Sequence, residues 1–467
     1  MTFNSLVFVA FFLVTMALYW NIKGKWRNQL LTVASYVFYA WWDWRLLALL
    51  IGITVVGFWV GNAMDAPKSS ARRRTLMLGI SMAANLGALV VFRHLGFFVD
   101  EAGQLLDAIG VGDSPTLDIL VPIGVSFYTL QTLGYTIDVY RGRTRAEDHF
   151  PTFAAFVSFF PQLVAGPIER AEGLLPQLRR RRRRLQHNDI EDGLALIALG
   201  LFKKVVLADG VARVVDAFWT NPDDASIVAA VAGVVGFTVQ IYADFSGYSN
   251  MARGLARLLG IDLTVNFAQP YLSPDIAGFW RRWHISLGTW LRDYVYIPLG
   301  GNQQGRRRTA LHIMITMMIG GLWHGASWMF LLWGTVHGVW LVGYHLLARP
   351  DASTPSRAST IVRIGLTHLG VTLLWILFRS PDLATAGEVV EALVGRGGSI
   401  GDAGDMVLVA GAWMAMIALD VVQRGQFVRS EAIDRKPAAV GIGLGLMIVG
   451  VIVFAGLPPV TFLYYQF

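Results

Sequence analysis

Long apolar blocks run along almost the whole chain, separated by short clusters of charge. A helix that crosses a bilayer needs roughly 20 mostly apolar residues. Leu6–Trp20, Asn28–Trp42, Leu46–Gly61, Thr75–Phe92 and Leu117–Tyr140 approach that length. Leu194–Phe218 and Ile227–Tyr242 read as a hairpin turning at Asn221-Pro222-Asp223-Asp224. Leu311–Gly321 and Trp328–Leu347 follow, and Ile361–Phe378, Met406–Val422 and Val440–Ala455 complete the series. The pattern predicts an all-α, polytopic integral membrane protein of about eleven or twelve spans, forming one membrane-embedded domain over residues 1–467.

Two stretches break the rhythm. Phe150–Val164 is apolar but flanked by arginines on both sides, so it reads as a re-entrant or in-plane segment ending at Gly166-Pro167. Between Met251 and Arg308 no apolar run reaches span length, and Arg253, Arg257, Arg281, Arg282, Arg292 and Arg306–Arg308 recur. That region predicts short helices on the cytoplasmic face, partly dipping into the membrane.

The charges then orient the map, because basic loops stay in the cytoplasm. Lys23, Lys25 and Arg27, then Lys68 and Arg72–Arg74, then Arg141, Arg143 and Arg145 fall inside. The loop carrying Asp100, Glu101, Asp107 and Asp113 falls outside, and both termini are expected there too. The densest basic patch, Arg179 to Arg184, reads as a topological and anionic-lipid anchor; a grip on coenzyme phosphates is the sharper alternative. Met1-Thr2-Phe3-Asn4 carries no basic cluster, so the first apolar block is expected to be a retained span.

Composition narrows the chemistry. The chain is 54% hydrophobic and 15% charged, with a net charge of +7, and no stretch is long and polar enough for a soluble domain. The lipid bilayer is therefore its expected surroundings, and a nucleic-acid partner, which would need a soluble basic face, is not expected. There are no cysteines, which removes disulfides, thiolate nucleophiles and Cys-ligated metals.

Two histidines stand out. His324 lies in Gly320-Gly321-Leu322-Trp323-His324-Gly325-Ala326-Ser327-Trp328, between two apolar runs. An ionisable side chain at membrane depth is costly and points to function, although a buried imidazole bonded to a nearby carbonyl competes with that reading. His284 lies in Phe279-Trp280-Arg281-Arg282-Trp283-His284-Ile285-Ser286-Leu287. A helix starting at Ser273-Pro274-Asp275 and stopping by Pro298-Leu299-Gly300-Gly301 would put Trp280, Trp283, His284, Leu287 and Leu291 on its apolar face. An interfacial helix whose histidine merely packs fits the same spacing. Upstream, Tyr242-Ala243-Asp244-Phe245-Ser246-Gly247-Tyr248-Ser249-Asn250 closes a span with polar groups; Asp244 orients a histidine, binds a cation, or simply caps a helix end. Lys203 and Lys204 fall near the inner half of the hairpin, from where they could snorkel. No ligand spacing for a metal and no phosphate-cradling loop is present.

Phe159-Phe160-Pro161-Gln162-Leu163-Val164-Ala165-Gly166-Pro167-Ile168, Tyr242 through Ser249, Phe279 through Gly301 and Gly321 through Trp328 together resemble the membrane-bound O-acyltransferases. The bacterial branch that acetylates alginate or attaches D-alanine to teichoic acid is the most similar. Val121 through Tyr128 and Trp375-Ile376-Leu377-Phe378-Arg379 also fit, so the resemblance covers nearly the whole chain. Asn250 and Val265 depart from it, standing where acids are usual.

The resemblance implies helices around a central funnel, with an acyl thioester entering from the cytoplasm and an acceptor from outside. It maps the family's invariant histidine onto His324 and a second polar position onto His284. Tyr242, Asp244, Trp280 and Trp323 become candidate substrate contacts. The expected donor is acetyl-CoA, with no permanently bound cofactor and no metal. The expected partners are an exported polysaccharide and an extracytoplasmic acetyltransferase protein that relays the acetyl group, at a bacterial inner membrane. D-alanyl transfer to teichoic acid from a carrier-protein donor, and transport without catalysis, are the rival readings.

Overall fold

The computed structural model describes residues 1–24, 26–110, 119–180, 185–347, 356–423, 437–456 and 460–463. Helices dominate, and no strand occurs among the described residues beyond an isolated parallel bridge between Ala225 and Ile400. Among the described residues, six helical stretches are long and apolar enough to cross a membrane: Trp44–Asp65, Ala71–Ala108, Ile227–Leu258, Trp328–Leu347, Arg357–Arg379 and Ala403–Val422. Leu6–Asn21 and Val440–Phe454 are shorter apolar helices. Large side chains such as Leu366, Val407 and Leu446 lie bare on these helices. Lipid, not water, is the solvent that such faces match. The chain is thus a polytopic membrane protein.

Contacts gather into two units, Met1–Gly193 with Met251–Thr264, and Leu194–Asn250 with Val265–Phe467. The first begins with α1 (Leu6–Asn21), α2 (Trp26–Ala40), α3 (Leu47–Asp65), α4 (Ala71–Ala108) and α5 (Val125–Tyr140). Helices α3 and α5 approach through Gly57 and Gly61, one turn apart: a Cβ at Gly57 would meet Thr132 Cγ2 at 2.5 Å. Small residues at this spacing let membrane helices touch backbone to backbone. Helix α4 continues through Asp100, Glu101 and Asp107, which the sequence pattern placed in a loop; a five-residue π-helical stretch, Val90–His94, absorbs the extra turn. Asp113 and Arg181–Arg184 lie outside the described residues.

The apolar segment flanked by arginines is broken in two. It forms α6 (Phe150–Ser158) and α7 (Phe160–Leu163), with Phe159 between them in a non-helical conformation. Non-helical backbone survives in an apolar setting only when other groups satisfy it. Gln131 Nε2 donates to Phe156 O at 2.6 Å, and Gln162 Nε2 donates to the same carbonyl at 3.1 Å. After α8 (Ala171–Arg179), Arg179 pairs with the buried Glu147 at 2.6 Å. Glu169 accepts from Thr264 N and Oγ1, and burial pushes its carboxyl up to about 7.

The second unit begins at Leu194, within α9 (His187–Leu201). It holds α10 (Asp209–Thr220) and most of α11 (Ile227–Leu258). Helix α11 runs on past Tyr242 for another four turns, so Asp244 sits in mid-helix and caps nothing. A π-helical stretch, Phe202–Ala208, joins α9 to α10 and turns Lys203 and Lys204 inward, where both are buried. Lys204 does not snorkel: its Nζ lies 2.8 Å from Asp209 Oδ1 and 2.8 Å from Asp244 Oδ1.

The expected single helix after Pro274 is two helices, α12 (Ile276–Trp280) and α13 (Ile285–Leu291), with Asp275 capping the first through Gly278 N. Then come α14 (Arg306–His324), α15 (Trp328–Leu347), α16 (Arg357–Arg379), α17 (Leu383–Leu393), α18 (Ala403–Val422) and α19 (Pro437–Phe454). Trp283, Trp333 and Trp375 fill the middle of this unit, with Trp333 and Trp375 stacked at 5.7 Å. Helices α14 and α15 cross at Gly321 and Gly334; a Cβ at Gly334 would lie 2.5 Å from Met317 O. Gly334→Val should therefore spread the hairpin and cost at least about 1–3 kcal/mol. A lowered melting temperature in detergent, with transfer activity falling alongside, is the expected result; an unchanged melting curve would show that the crossing can open freely.

Candidate active site

Helix α14 ends at His324 because Gly325 takes an extended backbone, φ 175° and ψ 160°, and the chain turns directly into α15. The imidazole is buried within an aromatic box. Trp333, Phe378 and Trp323 meet it edge-on at ring-centre distances of 5.3, 5.2 and 5.1 Å. His284 reaches the same place by a different device. Its backbone is left-handed, φ 43° and ψ 55°, at the break between α12 and α13. That turn buries its ring against Phe245 at 4.7 Å and Trp323 at 5.5 Å. The sequence pattern put His284 on the apolar face of one helix; the structure instead ends that helix at Trp280 and makes His284 the residue immediately before α13.

Both histidines line one cavity of about 420 Å³. Trp280, Leu287, Leu291, Met317 and Trp333 form its apolar wall; Arg281, Arg292, Thr289 and Thr316 add polar groups. Arg281 is exposed, as is most of the Arg292 side chain, which pairs with Asp293 at 2.7 Å, whereas the histidines are buried. One cavity thus joins cationic side chains reaching solvent to two imidazoles in an apolar interior. A neutral imidazole beside a cavity that can hold a substrate is the kind of group that general-base transfer uses.

The other sequence candidates are distributed unevenly. Trp280 lines the cavity; Trp323 touches both histidine rings without being part of the lining. Tyr242 and Asp244 are away from the lining. Tyr242 Oη donates to Asp420 Oδ1 at 2.8 Å, and Asp244 is held by Lys204 and by Leu463 N at 2.7 Å. Among the described residues no three His, Asp or Glu side chains gather as a metal site. The pattern passed over Trp333, the wall between His324 and a third buried histidine, His337, whose ring lies 4.8 Å from the indole. The four-residue step from Trp333 to His337 on one helix was the available signal.

Comparison with known proteins completes the picture. A family model described as the membrane-bound O-acyltransferase family matches residues 144–361, a span containing both histidines and every residue lining the cavity. The chain is 40% identical over 402 residues to a probable alginate O-acetylase of Pseudomonas syringae pv. tomato, covering 85% of this chain and 76% of the relative. The chain belongs to the membrane-bound O-acyltransferase family. It is an acyltransferase. A second member, the peptidoglycan O-acetyltransferase of Helicobacter pylori, is 33% identical over 427 residues, 85% of this chain and 80% of its own length. The teichoic acid D-alanyltransferase of Streptococcus thermophilus shares 30% identity over 268 residues, 53% of this chain and 63% of that protein.

Proposed function

We propose that this membrane-bound O-acyltransferase moves an acetyl group from cytoplasmic acetyl-CoA to an exported polysaccharide, either directly or through an extracytoplasmic acetyltransferase partner. The observation that carries the reading is that His284 and His324 line the same cavity, with Arg281 at its exposed side. The protein works as one domain of eleven or twelve spans in a bacterial inner membrane. Two relatives of high coverage are named for O-acetylation of glycan polymers, which supports the acetyl group and the class of acceptor.

In this scheme Arg281 and Arg292 meet the phosphates of the coenzyme, as guanidinium groups do. The thioester then lies in the apolar part of the cavity. The buried indole N–H groups of Trp280 and Trp333, which have no acceptor among the described residues, gain one from the donor. His324 takes the proton of the attacking hydroxyl as its oxygen bonds to the thioester carbonyl carbon. The C–S bond breaks, the ester forms, and the proton passes from His324 to the departing thiolate. His284 orients the thioester on the donor side. Trp323 fixes the rings of both histidines relative to each other.

Labelled acetyl-CoA supplied to the cytoplasmic face of membranes holding the protein and its partners tests this. Label should reach the polymer, and His284→Ala should raise the donor concentration needed for half-maximal rate while leaving acceptor dependence nearly unchanged. Transfer of D-alanine from a carrier protein, with acetyl-CoA inert, would move the assignment to the teichoic acid branch.

A further inference from the structure

His284 has a backbone that only glycine adopts readily, and it shares that property with one other non-glycine residue among those described, Gln269. The two lie on facing segments. Ala268 N donates to Arg282 O at 3.0 Å, and Ile285 N donates to Asn266 O at 2.9 Å, so residues 266–268 run alongside 282–285. A non-glycine residue persists in a left-handed conformation only where its surroundings over-determine it.

Asn266 supplies most of that determination. His284 is the residue that precedes α13, the position whose side chain ordinarily accepts the first N–H groups of a helix. Its imidazole makes no such bond. Asn266 does so from outside the helix: its backbone carbonyl takes Ile285 N, and its Oδ1 takes Ser286 N at 3.3 Å and Ser286 Oγ at 2.7 Å. Its Nδ2 donates to Ser249 Oγ at 3.3 Å, tying the turn to α11. Asn266, Ser286 and Ser249 are all almost fully buried. The next residue, Phe267, lies parallel to the His284 ring at 6.5 Å.

We propose that Asn266 is a positioning residue for acyl transfer: it caps α13 in place of His284, so that the imidazole lines the cavity. The carboxamide is suited to this because one group must accept from Ser286 and donate to Ser249 at once. The inference rests on the reading of His284 as the group that orients the donor.

The test is a double-mutant cycle in membranes, measuring transfer from labelled acetyl-CoA, with protein level and melting temperature recorded for each variant. At limiting acetyl-CoA, Asn266→Ala should lower transfer by about 10- to 100-fold, the scale of loss when a group at the reacting centre is misplaced by about 1 Å. As with His284→Ala, the loss should appear as a raised donor requirement. In the His284→Ala background the same substitution should cost less than about twofold, because nothing remains to be positioned. Ser286→Ala, which removes one of the two bonds to Oδ1, should behave the same way with a smaller loss, and it carries the test if Asn266→Ala does not accumulate. Full activity of Asn266→Ala overturns the proposal. So does a loss that multiplies with that of His284→Ala, which is the mark of a merely structural residue. Full activity of His284→Ala is a different failure: it overturns the donor-side reading on which the proposal stands.

Discussion

His324→Gln should abolish acyl transfer while leaving the protein folded, inserted and bound to its partner. Glutamine retains much of the volume and hydrogen-bonding capacity of imidazole, but near neutral pH it is not an effective base. Removing a general base typically costs about 10²–10⁴-fold, a loss that in cells reads as absence of the product. The aromatic box of Trp323, Trp333 and Phe378 remains intact in the variant. Level in the membrane and melting temperature should therefore stay near those of the parent, whereas a histidine held only for packing would lose stability and keep its activity. Wild-type transfer by a well-folded His324→Gln protein would sink the mechanism proposed above.

Lys204→Met should produce the largest loss of stability. The ammonium stands between Asp209 and Asp244, at 2.8 Å from each, and donates to Val460 O at 3.0 Å. Asp244 in turn accepts from Leu463 N, so the described end of the chain is held by this buried cluster. Its neighbour Phe462 packs on Phe245, the ring that meets His284. Removing the lysine leaves two buried carboxylates facing each other, and breaking a buried ion pair from one side costs about 3–5 kcal/mol. Thermal melting in detergent should show a marked drop. The triple variant Lys204→Met, Asp209→Asn, Asp244→Asn should recover much of it, since replacing a whole buried pair costs far less than halving it. No change in melting on Lys204→Met alone would show that the cluster does not hold this region together.

Much of the molecule is written in its local pattern. Apolar blocks of span length announce a helical membrane protein, because in lipid every backbone group must be satisfied within the segment itself. The same pattern exposes His324 and His284 as ionisable residues in apolar company, and the phrases around them resemble one family. That Phe150–Val164 stands apart from the other apolar blocks was legible from the arginines on both sides of it, but the break at Phe159 was not.

What escaped the pattern depends on partners distant along the chain. Asp209 lies only five residues from Lys204, but it takes Asp244, forty residues on, to make the lysine an internal ion held from two sides. Helix α11 continues beyond Tyr242 because polar residues that suggest a helix end find buried partners instead, Tyr242 with Asp420 and Asp244 with Lys204. The left-handed turn at His284 was the least legible feature. Helical spacing runs unbroken through Trp280, Trp283, His284 and Leu287, and a histidine carries no sign of positive φ. Only Asn266, brought alongside by the fold, takes over the capping bonds that let the chain turn there. The apolar blocks thus determined that the chain is helical and lies in a membrane, by matching apolar surface to apolar surroundings. Hydrogen bonds and ion pairs between remote residues, formed only once the helices have packed, decided where the backbone bends and which way the imidazole of His284 faces.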